Sequence, residues 1–145
     1  MSKKVLIVED EIFVALEIEQ IVEDAGFAVS AIAADRESAL IAANDCDIAL
    51  VDLNLRDGPT GPAIGLELAA QYGVQVIYVT ANPAQIGAAA EAALGVITKP
   101  FRAHSIAETL RLVASEQQDL ETAEIFGFTP FPPSRGSWNG MESAG

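Results

Sequence analysis

The sequence DIALVDLNL, residues 47–55, has an apolar centre that ends at the carboxylate of Asp52. A short, continuous apolar run of this kind is typical of a strand that is buried on both faces of a parallel sheet. A polar residue directly after such a strand lies at the carboxyl edge of the sheet, where ligands bind in folds of this type. We therefore predict a central strand over residues 48–51, and Asp52 is the candidate reactive group.

Helical patterns separate this strand from four further short apolar runs. The predicted strands cover residues 5–8, 27–32, 48–51, 74–79 and 95–98, and the predicted helices cover residues 12–25, 38–43, 62–72, 84–94 and 103–117. Strands and helices alternate in this way when a parallel sheet is covered on both faces. We predict an α/β fold with a doubly wound five-stranded parallel sheet in the strand order 2-1-3-4-5, which suits a chain of this length.

The composition of the chain changes after residue 117. Residues 118–145 hold three prolines and four of the nine aromatic residues, namely Phe126, Phe128, Phe131 and Trp138. Two interpretations stay open: a terminus that is disordered or only partly packed, or a docking segment that covers an exposed surface of the same chain or of a partner. We expect one domain over residues 1–117, followed by this tail and by no separate output domain.

The charge of the chain limits its partners. Twenty-one acidic and eight basic residues give a formal net charge of −13, which repels nucleic-acid phosphates and anionic membrane surfaces. The single cysteine, Cys46, cannot form an internal disulfide and is consistent with a reducing compartment. The apolar runs are too short for a signal peptide or a membrane span. We expect a cytoplasmic protein that binds neither nucleic acid nor membranes.

Polar residues follow four of the five predicted strands. Glu9 and Asp10 follow the first strand, Asp52 the third, Thr80 the fourth and Lys99 the fifth. The carboxyl ends of parallel strands meet at one edge of the sheet, so these side chains are expected to lie close together. Clustered carboxylates repel one another, and a hard divalent cation with oxygen ligands relieves that repulsion. The sequence therefore predicts a Mg²⁺ site at this edge.

The same group of residues suits phosphoryl transfer. A carboxylate can attack phosphorus to give an aspartyl phosphate, and the transfer depends mainly on position and charge. Lys99 would neutralise one part of the phosphoryl group, and the Thr80 hydroxyl would donate a hydrogen bond to another of its oxygens. Each residue alone is a weak signal, since loop acids and surface lysines are common. Their coincidence at one edge of one sheet is specific.

The chain resembles the receiver domain of two-component response regulators over residues 3–117, about four-fifths of its length. The residues that carry the resemblance are Val8-Glu9-Asp10, Asp52, Thr80-Ala81 and Lys99-Pro100-Phe101. The resemblance implies a flavodoxin-like receiver fold. It also implies that Asp52 accepts a phosphoryl group from a phosphohistidine of a sensor histidine kinase.

The resemblance further implies the ligands of the metal. In this family the residues matching Glu9, Asp10 and Asp52, together with the backbone carbonyl of the residue at Asn54, hold Mg²⁺. It also implies a cis peptide bond between Lys99 and Pro100, a bond that is rare outside X-Pro pairs.

Two features depart from the usual receiver pattern. The family commonly couples the Thr80 position to an aromatic residue three positions before the lysine, and this chain has Val96 there. Rotation of such a ring therefore cannot be the output signal. Residues 57–61, DGPTG, lack the frequent Met-Pro pair and look more like the receivers of the general stress response of alphaproteobacteria.

The favoured hypothesis is a single-domain response regulator that acts as a phosphorylation switch or as a phosphate sink. Its expected partners are a sensor histidine kinase and a downstream regulator or phosphotransfer protein, and a homodimer is left open. It would be no enzyme beyond its own phosphoryl transfer and dephosphorylation. One alternative is a Mg²⁺-dependent phosphohydrolase that uses Asp52, which is disfavoured because Asn54 stands where such enzymes commonly carry a second carboxylate. The other is an adaptor that works through the aromatic tail.

Overall fold

The computed structural model describes residues 3–115 and 124–132. Within these ranges the helices are α1 (Ile12–Asp24), α2 (Arg36–Ala42), α3 (Gly61–Tyr72) and α4 (Ala103–Ala114). The strands are β1 (Lys4–Val8), β2 (Ala28–Ala33), β3 (Ile48–Val51), β4 (Gln75–Thr80), β5 (Ala93–Thr98) and β6 (Phe128–Pro130). Short 3₁₀ segments cover Ala43–Asp45, Pro83–Gln85 and Gly87–Ala92. No helix in the described part of the chain is both long and apolar enough to cross a membrane.

The strands form one sheet in the order β2-β1-β3-β4-β5-β6. The pairs among β1 to β5 are parallel, so the predicted order 2-1-3-4-5 and the α/β class are confirmed. All four residues of β3 are buried, because helices cover both faces of the sheet at its centre. This arrangement explains why the strand is a continuous apolar run and does not alternate with polar residues.

Alternate residues of the strands enter two separate cores. Ile48 and Leu50 pack against α1 and α4 on one face, while Ala49 and Val51 pack against α2 and α3 on the other. The largest fully buried side chains on the α1 and α4 face include Ile7, Ile18, Ile77, Ile97 and Ile106. Burial of each such side chain stabilises the fold by about 1.5–3 kcal/mol. The two cores fix the sheet, and the sheet fixes the residues that follow its strands.

The predicted helix over residues 84–94 is wrong. The chain forms two 3₁₀ segments there, Pro83–Gln85 and Gly87–Ala92, and Ala93 and Leu94 already belong to β5. Gly87 has a φ of 56°, a left-handed backbone conformation that interrupts an α-helix. Alanine supplies helix propensity here but little apolar bulk, so packing of a few side chains decides the local geometry.

The C-terminal segment contributes a strand that the sequence did not predict. β6 runs antiparallel to β5, and Phe128 pairs with Ile97 and is 6% exposed. Gly95 makes room for it, since a Cβ there would lie 2.5 Å from the Phe128 ring. Residues 124–132 therefore cover the β5 edge of the same chain. Residue 117, where we placed the domain boundary, and Trp138 lie outside the described residues.

Candidate functional site

Three carboxylates meet where β1 and β3 end. One oxygen from each of Glu9, Asp10 and Asp52 lies within 4.8 Å of the others. The pairing of the two strands brings these residues together, because Val8 is opposite Val51 and the Asp52 N–H donates to the Val8 carbonyl at 2.9 Å. Glu9 is buried and Asp10 is exposed, so the group extends from the core to the solvent.

Lys99 joins this group from the end of β5. Its Nζ donates to Glu9 Oε1 at 2.7 Å and to Asp52 Oδ2 at 3.2 Å. Burial alone would lower the pKa of Lys99, but the hydrogen bond and charge of Glu9, together with the charge of Asp52, outweigh burial and raise it. The ammonium group therefore stays charged at neutral pH. The cis peptide bond between Lys99 and Pro100 is present, as the resemblance implied.

Glu9 is the most enclosed of the three carboxylates. Its Oε1 accepts from Lys99, and its Oε2 accepts the backbone N–H of Glu11 at 3.2 Å. Burial raises the pKa of Glu9 and the nearby Asp52 charge adds to this rise, whereas the Lys99 contact opposes both. Glu9 thus fixes the Lys99 ammonium from the buried side of the group, while Asp10 and Asp52 line the open cleft.

An open cleft of about 640 Å³ lies above this group. Its lining includes Asp10, Asp52, Asn54, Thr80 and Lys99. The Thr80 side chain is buried, and its Oγ1 accepts the backbone N–H of Asn82 at 3.0 Å. A hydroxyl that accepts one bond still has its own hydrogen to donate, so Thr80 can bind an anionic oxygen. The structure thus brings the predicted side chains to one edge of the sheet.

Sequence reasoning missed one residue beside this cleft. Gln85 exchanges two hydrogen bonds with Asn54: Asn54 Nδ2 donates to Gln85 Oε1 at 3.1 Å, and Gln85 Nε2 donates to Asn54 Oδ1 at 2.9 Å. The two residues are 31 positions apart in an exposed region. No local pattern signals such a pair, because it depends on how the segment after β4 is folded.

The donor set fits a hard divalent cation. Carboxylate oxygens are the ligands that Mg²⁺ prefers, and an exposed carboxylate such as Asp10 gives the ion an entry from solvent. Glu9 and Asp52 each share an oxygen with Lys99, which leaves their other lone pairs for further contacts. The residues present therefore suit Mg²⁺ chemically, and the contribution of the Asn54 carbonyl stays a prediction.

The model of the response regulator receiver domain family matches residues 5–111. The chain belongs to this family. The fold and the four-residue group of Glu9, Asp10, Asp52 and Lys99 agree with that membership. Phosphoryl acceptance on an aspartate is general for receivers.

Several relatives of this receiver carry the name PhyR. The phyllosphere-induced regulator PhyR of Methylorubrum extorquens is 30% identical over 129 residues, which cover 86% of this chain and 48% of that protein. The receiver domain of Erythrobacter litoralis PhyR superposes with a TM-score of 0.71 at 28% identity, over 81% of this chain and 95% of that one. The anti-anti-sigma factor PhyR of Bartonella quintana has a TM-score of 0.60 at 28% identity, over 80% and 51% of the two chains. This receiver therefore spans about half the length of the curated relative that it matches.

Proposed function

We propose that this receiver is a phosphorylation switch in which Asp52 accepts a phosphoryl group from a sensor histidine kinase in a Mg²⁺-dependent reaction. The observation that supports this most is the placement of Asp52. Its carboxylate lines an open cleft, contacts the Lys99 ammonium and is grouped with two further carboxylates. This combines a nucleophile with groups that balance the charge of a phosphoryl group.

The transfer needs one bond to form and one to break. A carboxylate oxygen of Asp52 attacks phosphorus, and the bond from phosphorus to the imidazole nitrogen of the kinase breaks with its electron pair leaving on the imidazole. Lys99 lies 3.2 Å from Asp52 Oδ2 and is placed to meet the negative charge of the incoming oxygens. The Thr80 hydroxyl lines the same cleft and can donate to another of them.

The metal would be held by Glu9, Asp10 and Asp52, with the backbone carbonyl of Asn54 as a fourth ligand. When bound, Mg²⁺ supplies positive charge that offsets the repulsion between the carboxylates and the phosphoryl oxygens. Within the chain itself, Glu9 fixes the Lys99 ammonium through the 2.7 Å hydrogen bond, so that Lys99 keeps its position when the metal is absent.

A kinase can approach this site along α1. The helix begins three residues after Glu9 and exposes three large apolar side chains near its N-terminus, Ile12, Phe13 and Leu16, of which Phe13 is 84% exposed. Exposed apolar clusters of this kind mark protein contact surfaces. A groove lined by Val14 of the same helix, Pro100 and Phe101 reaches Lys99. We propose that this face docks the kinase helix that carries the phosphohistidine.

The similarity to PhyR supports a place in a stress-signalling pathway. PhyR of Bartonella quintana is described as an anti-anti-sigma factor, and this receiver matches about half of that chain. We propose that this receiver draws phosphoryl groups from kinases of the general stress response, either to act on a regulator through protein contacts or to serve as a phosphate sink. Phosphorylation adds about −1.5 to −2 charge to the cleft, which can shift the equilibrium of the segments after β4 and β5.

The decisive experiment is intact mass spectrometry after incubation with acetyl phosphate and Mg²⁺. The native protein is expected to gain one phosphoryl group, and Asp52→Asn or addition of EDTA is expected to abolish the gain. Asp57→Asn is the matched control, because Asp57 is an exposed acid five residues further along that hydrogen-bonds Thr60 and lies outside the carboxylate group. Absence of the phosphoryl group in folded native protein would overturn the proposed function.

A further inference from the structure

Two exposed side-chain amides pair beside the cleft. Asn54 lies in the loop after β3, two residues beyond Asp52, and Gln85 lies in the 3₁₀ segment after β4. The two carboxamides form a reciprocal pair, with N···O distances of 2.9 and 3.1 Å. Each amide therefore satisfies one donor and its acceptor through the other. This pair connects the loop after β3 to the segment after β4, two neighbouring parts of the chain at the edge of the cleft.

The backbone on the Gln85 side is also held in place. The Gln85 N–H donates to the Asn82 carbonyl at 3.0 Å, and the Asn82 N–H donates to Thr80 Oγ1 at 3.0 Å. A short chain of hydrogen bonds thus runs from Thr80, inside the cleft, to the backbone N–H of Gln85. The Gln85 backbone is thereby fixed, and the reciprocal pair holds the Asn54 carboxamide toward Gln85, with one lone pair of its oxygen engaged.

We propose that Gln85 is a positioning residue that prolongs the lifetime of the phosphorylated state by holding the Asn54 carboxamide away from the hydrolytic water. The inference rests on the proposed function, because it concerns the same aspartyl phosphate. Gln85 acts through Asn54 and contacts none of the reacting atoms.

The chemical step concerned is hydrolysis of the acyl phosphate. The oxygen of a water molecule attacks phosphorus, the bond from phosphorus to the Asp52 oxygen breaks, and its electron pair returns to the carboxylate. The proton lost by the water ends on the released inorganic phosphate or in the solvent. An Asn54 carboxamide that is free of Gln85 can accept a hydrogen from this water and orient it toward phosphorus. Removal of the Gln85 amide is therefore expected to speed hydrolysis.

The test measures the decay of phosphorylated protein after the phosphodonor is removed, in the presence of Mg²⁺. Gln85→Ala is expected to shorten the lifetime about three- to tenfold, the rate equivalent of one or two exposed hydrogen bonds. The swapped pair Asn54→Gln with Gln85→Asn restores a reciprocal amide pair of the same total length and is expected to restore the lifetime. Gln20→Ala is the matched control, because Gln20 is an exposed amide on α1 that bonds only within its own helix in the described contacts.

A double-mutant cycle separates this role from a general loosening of the loop. In the Asn54→Ala background the carboxamide that orients the water is gone, so Gln85→Ala is expected to have no further effect on the decay. An equal effect of Gln85→Ala in both backgrounds would overturn the inference. A lifetime in Gln85→Ala equal to that of the native protein would overturn it as well.

The pair can also be detected without phosphorylation. The side-chain NH₂ signals of Asn54 and Gln85 in NMR spectra are expected to show slowed exchange with water, and the Asn54 signal is expected to lose this protection in Gln85→Ala. Unprotected signals in the native protein would overturn the inference. These outcomes differ from failure of the proposed function, which would appear as native protein that never acquires a phosphoryl group.

Discussion

Lys99 Nζ lies 2.7 Å from Oε1 of Glu9, a carboxylate that is only 2% exposed. The pair connects the end of β5 to the end of β1 across the sheet, and Asp52 shares the same ammonium group at 3.2 Å. A buried ion pair costs desolvation free energy that its attraction offsets only while both partners are present. The candidate site is therefore also a part of the fold whose stability depends on charge balance.

Replacement of Lys99 by methionine is expected to destabilise the protein at pH 7 by about 3 kcal/mol, because it leaves the buried Glu9 carboxylate without its partner. The double variant Glu9→Gln with Lys99→Met removes that unpaired charge and is expected to recover most of the loss. Urea unfolding in the presence of EDTA measures the free energy of unfolding of the single and the double variant. Lys4→Met is the matched control: Lys4 pairs with Asp45 at the exposed surface, where such a pair contributes about 0–1 kcal/mol. Equal losses of stability in Lys99→Met and Lys4→Met would contradict the prediction.

Acid stability is expected to depend on Asp35, the N-terminal cap of α2. The hydrogen bonds from the Ser38 hydroxyl and backbone N–H, followed by that from Arg56, lower the pKa of Asp35 from 3.8 to about 2. A carboxylate whose pKa falls on folding stabilises the fold above its unfolded pKa and loses this contribution as the pH falls through its folded pKa. The contribution is therefore complete above about pH 4 and disappears toward pH 2.

The Asp35→Asn variant reveals this dependence, since an amide can still cap the helix but does not titrate. Native protein is expected to be more stable than Asp35→Asn at pH 5, and the difference is expected to shrink as the pH falls to 2. Chemical unfolding followed by circular dichroism at each pH gives the free energy of unfolding of both proteins. Ser38→Ala removes the largest contribution to the shift, so the stability that Asp35 contributes is expected to be smaller in this variant and to be lost completely at a higher pH than in native protein. A stability difference between native protein and Asp35→Asn that stays constant from pH 5 to pH 2 would contradict the prediction.

The sheet order and the site were predictable because both follow from features that lie close together in the sequence. Each strand is a short apolar run, and each of these side chains stands at its end or within two residues after it, as Asp52 does after Val51. Once the sheet is parallel, the position of these residues follows from topology alone. The geometry of a site formed by strand ends is therefore encoded locally.

Other features depend on contacts between distant residues and left no local signal. The alanines after Gly87 favour an α-helix by propensity, yet this segment is 3₁₀ because Ile86 and Ala89 pack into the core around a glycine in a left-handed conformation. β6 has only three residues, follows Gly127 and ends at Pro130, and both residue types are typical of turns. It forms because Phe128 finds space above Gly95, 33 residues earlier in the chain.

Tyr78 is expected to fix the 3₁₀ segment after β4. Its hydroxyl donates to the Ala89 carbonyl at 3.2 Å, and its ring is fully buried against Gly65, where a Cβ would lie 2.2 Å from the hydroxyl oxygen. Burial raises the pKa of Tyr78 to about 12, so the hydroxyl remains a neutral donor in the physiological range. The ring lies on β4 opposite Val96, the position where an aromatic residue was expected from the family pattern.

Tyr78→Phe is expected to cost about 1 kcal/mol, because it removes a buried side-chain hydrogen bond to the Ala89 carbonyl. Hydrogen exchange of the backbone amides between residues 86 and 92 is expected to accelerate, while the amides of β1 and β3 keep their protection. Tyr72→Phe is the matched control, since Tyr72 is the other tyrosine of the chain and lies half-buried at the end of α3. Unchanged exchange in residues 86–92 would show that the hydroxyl does not hold this segment.

The C-terminal strand is connected to the residue beside Lys99. The Thr98 N–H donates to the Gly127 carbonyl at 3.0 Å, and Arg102 stacks on the Phe126 ring at 4.0 Å from its centroid. Ser105 donates a further hydrogen bond to the Phe126 carbonyl. The segment is therefore attached to both ends of the turn that carries Lys99 and Pro100.

Phe128→Ala removes the one fully enclosed ring of this segment and is expected to detach β6 from the sheet edge. A buried Phe→Ala change lowers the free energy of unfolding by about 3–5 kcal/mol in a core that cannot relax. A three-residue edge strand can open locally, so the free energy of global unfolding is expected to fall by less than this. The amide of Thr98 is expected to lose its protection from hydrogen exchange, whereas Thr129→Ala, at an exposed position of the same strand, is expected to leave it intact. If Thr98 kept its protection in Phe128→Ala, the segment would be held mainly by Phe126 and its contacts with Arg102 and Ser105. Loss of protection would mean that the C-terminal segment steadies the backbone next to Lys99 and thereby one side of the candidate site.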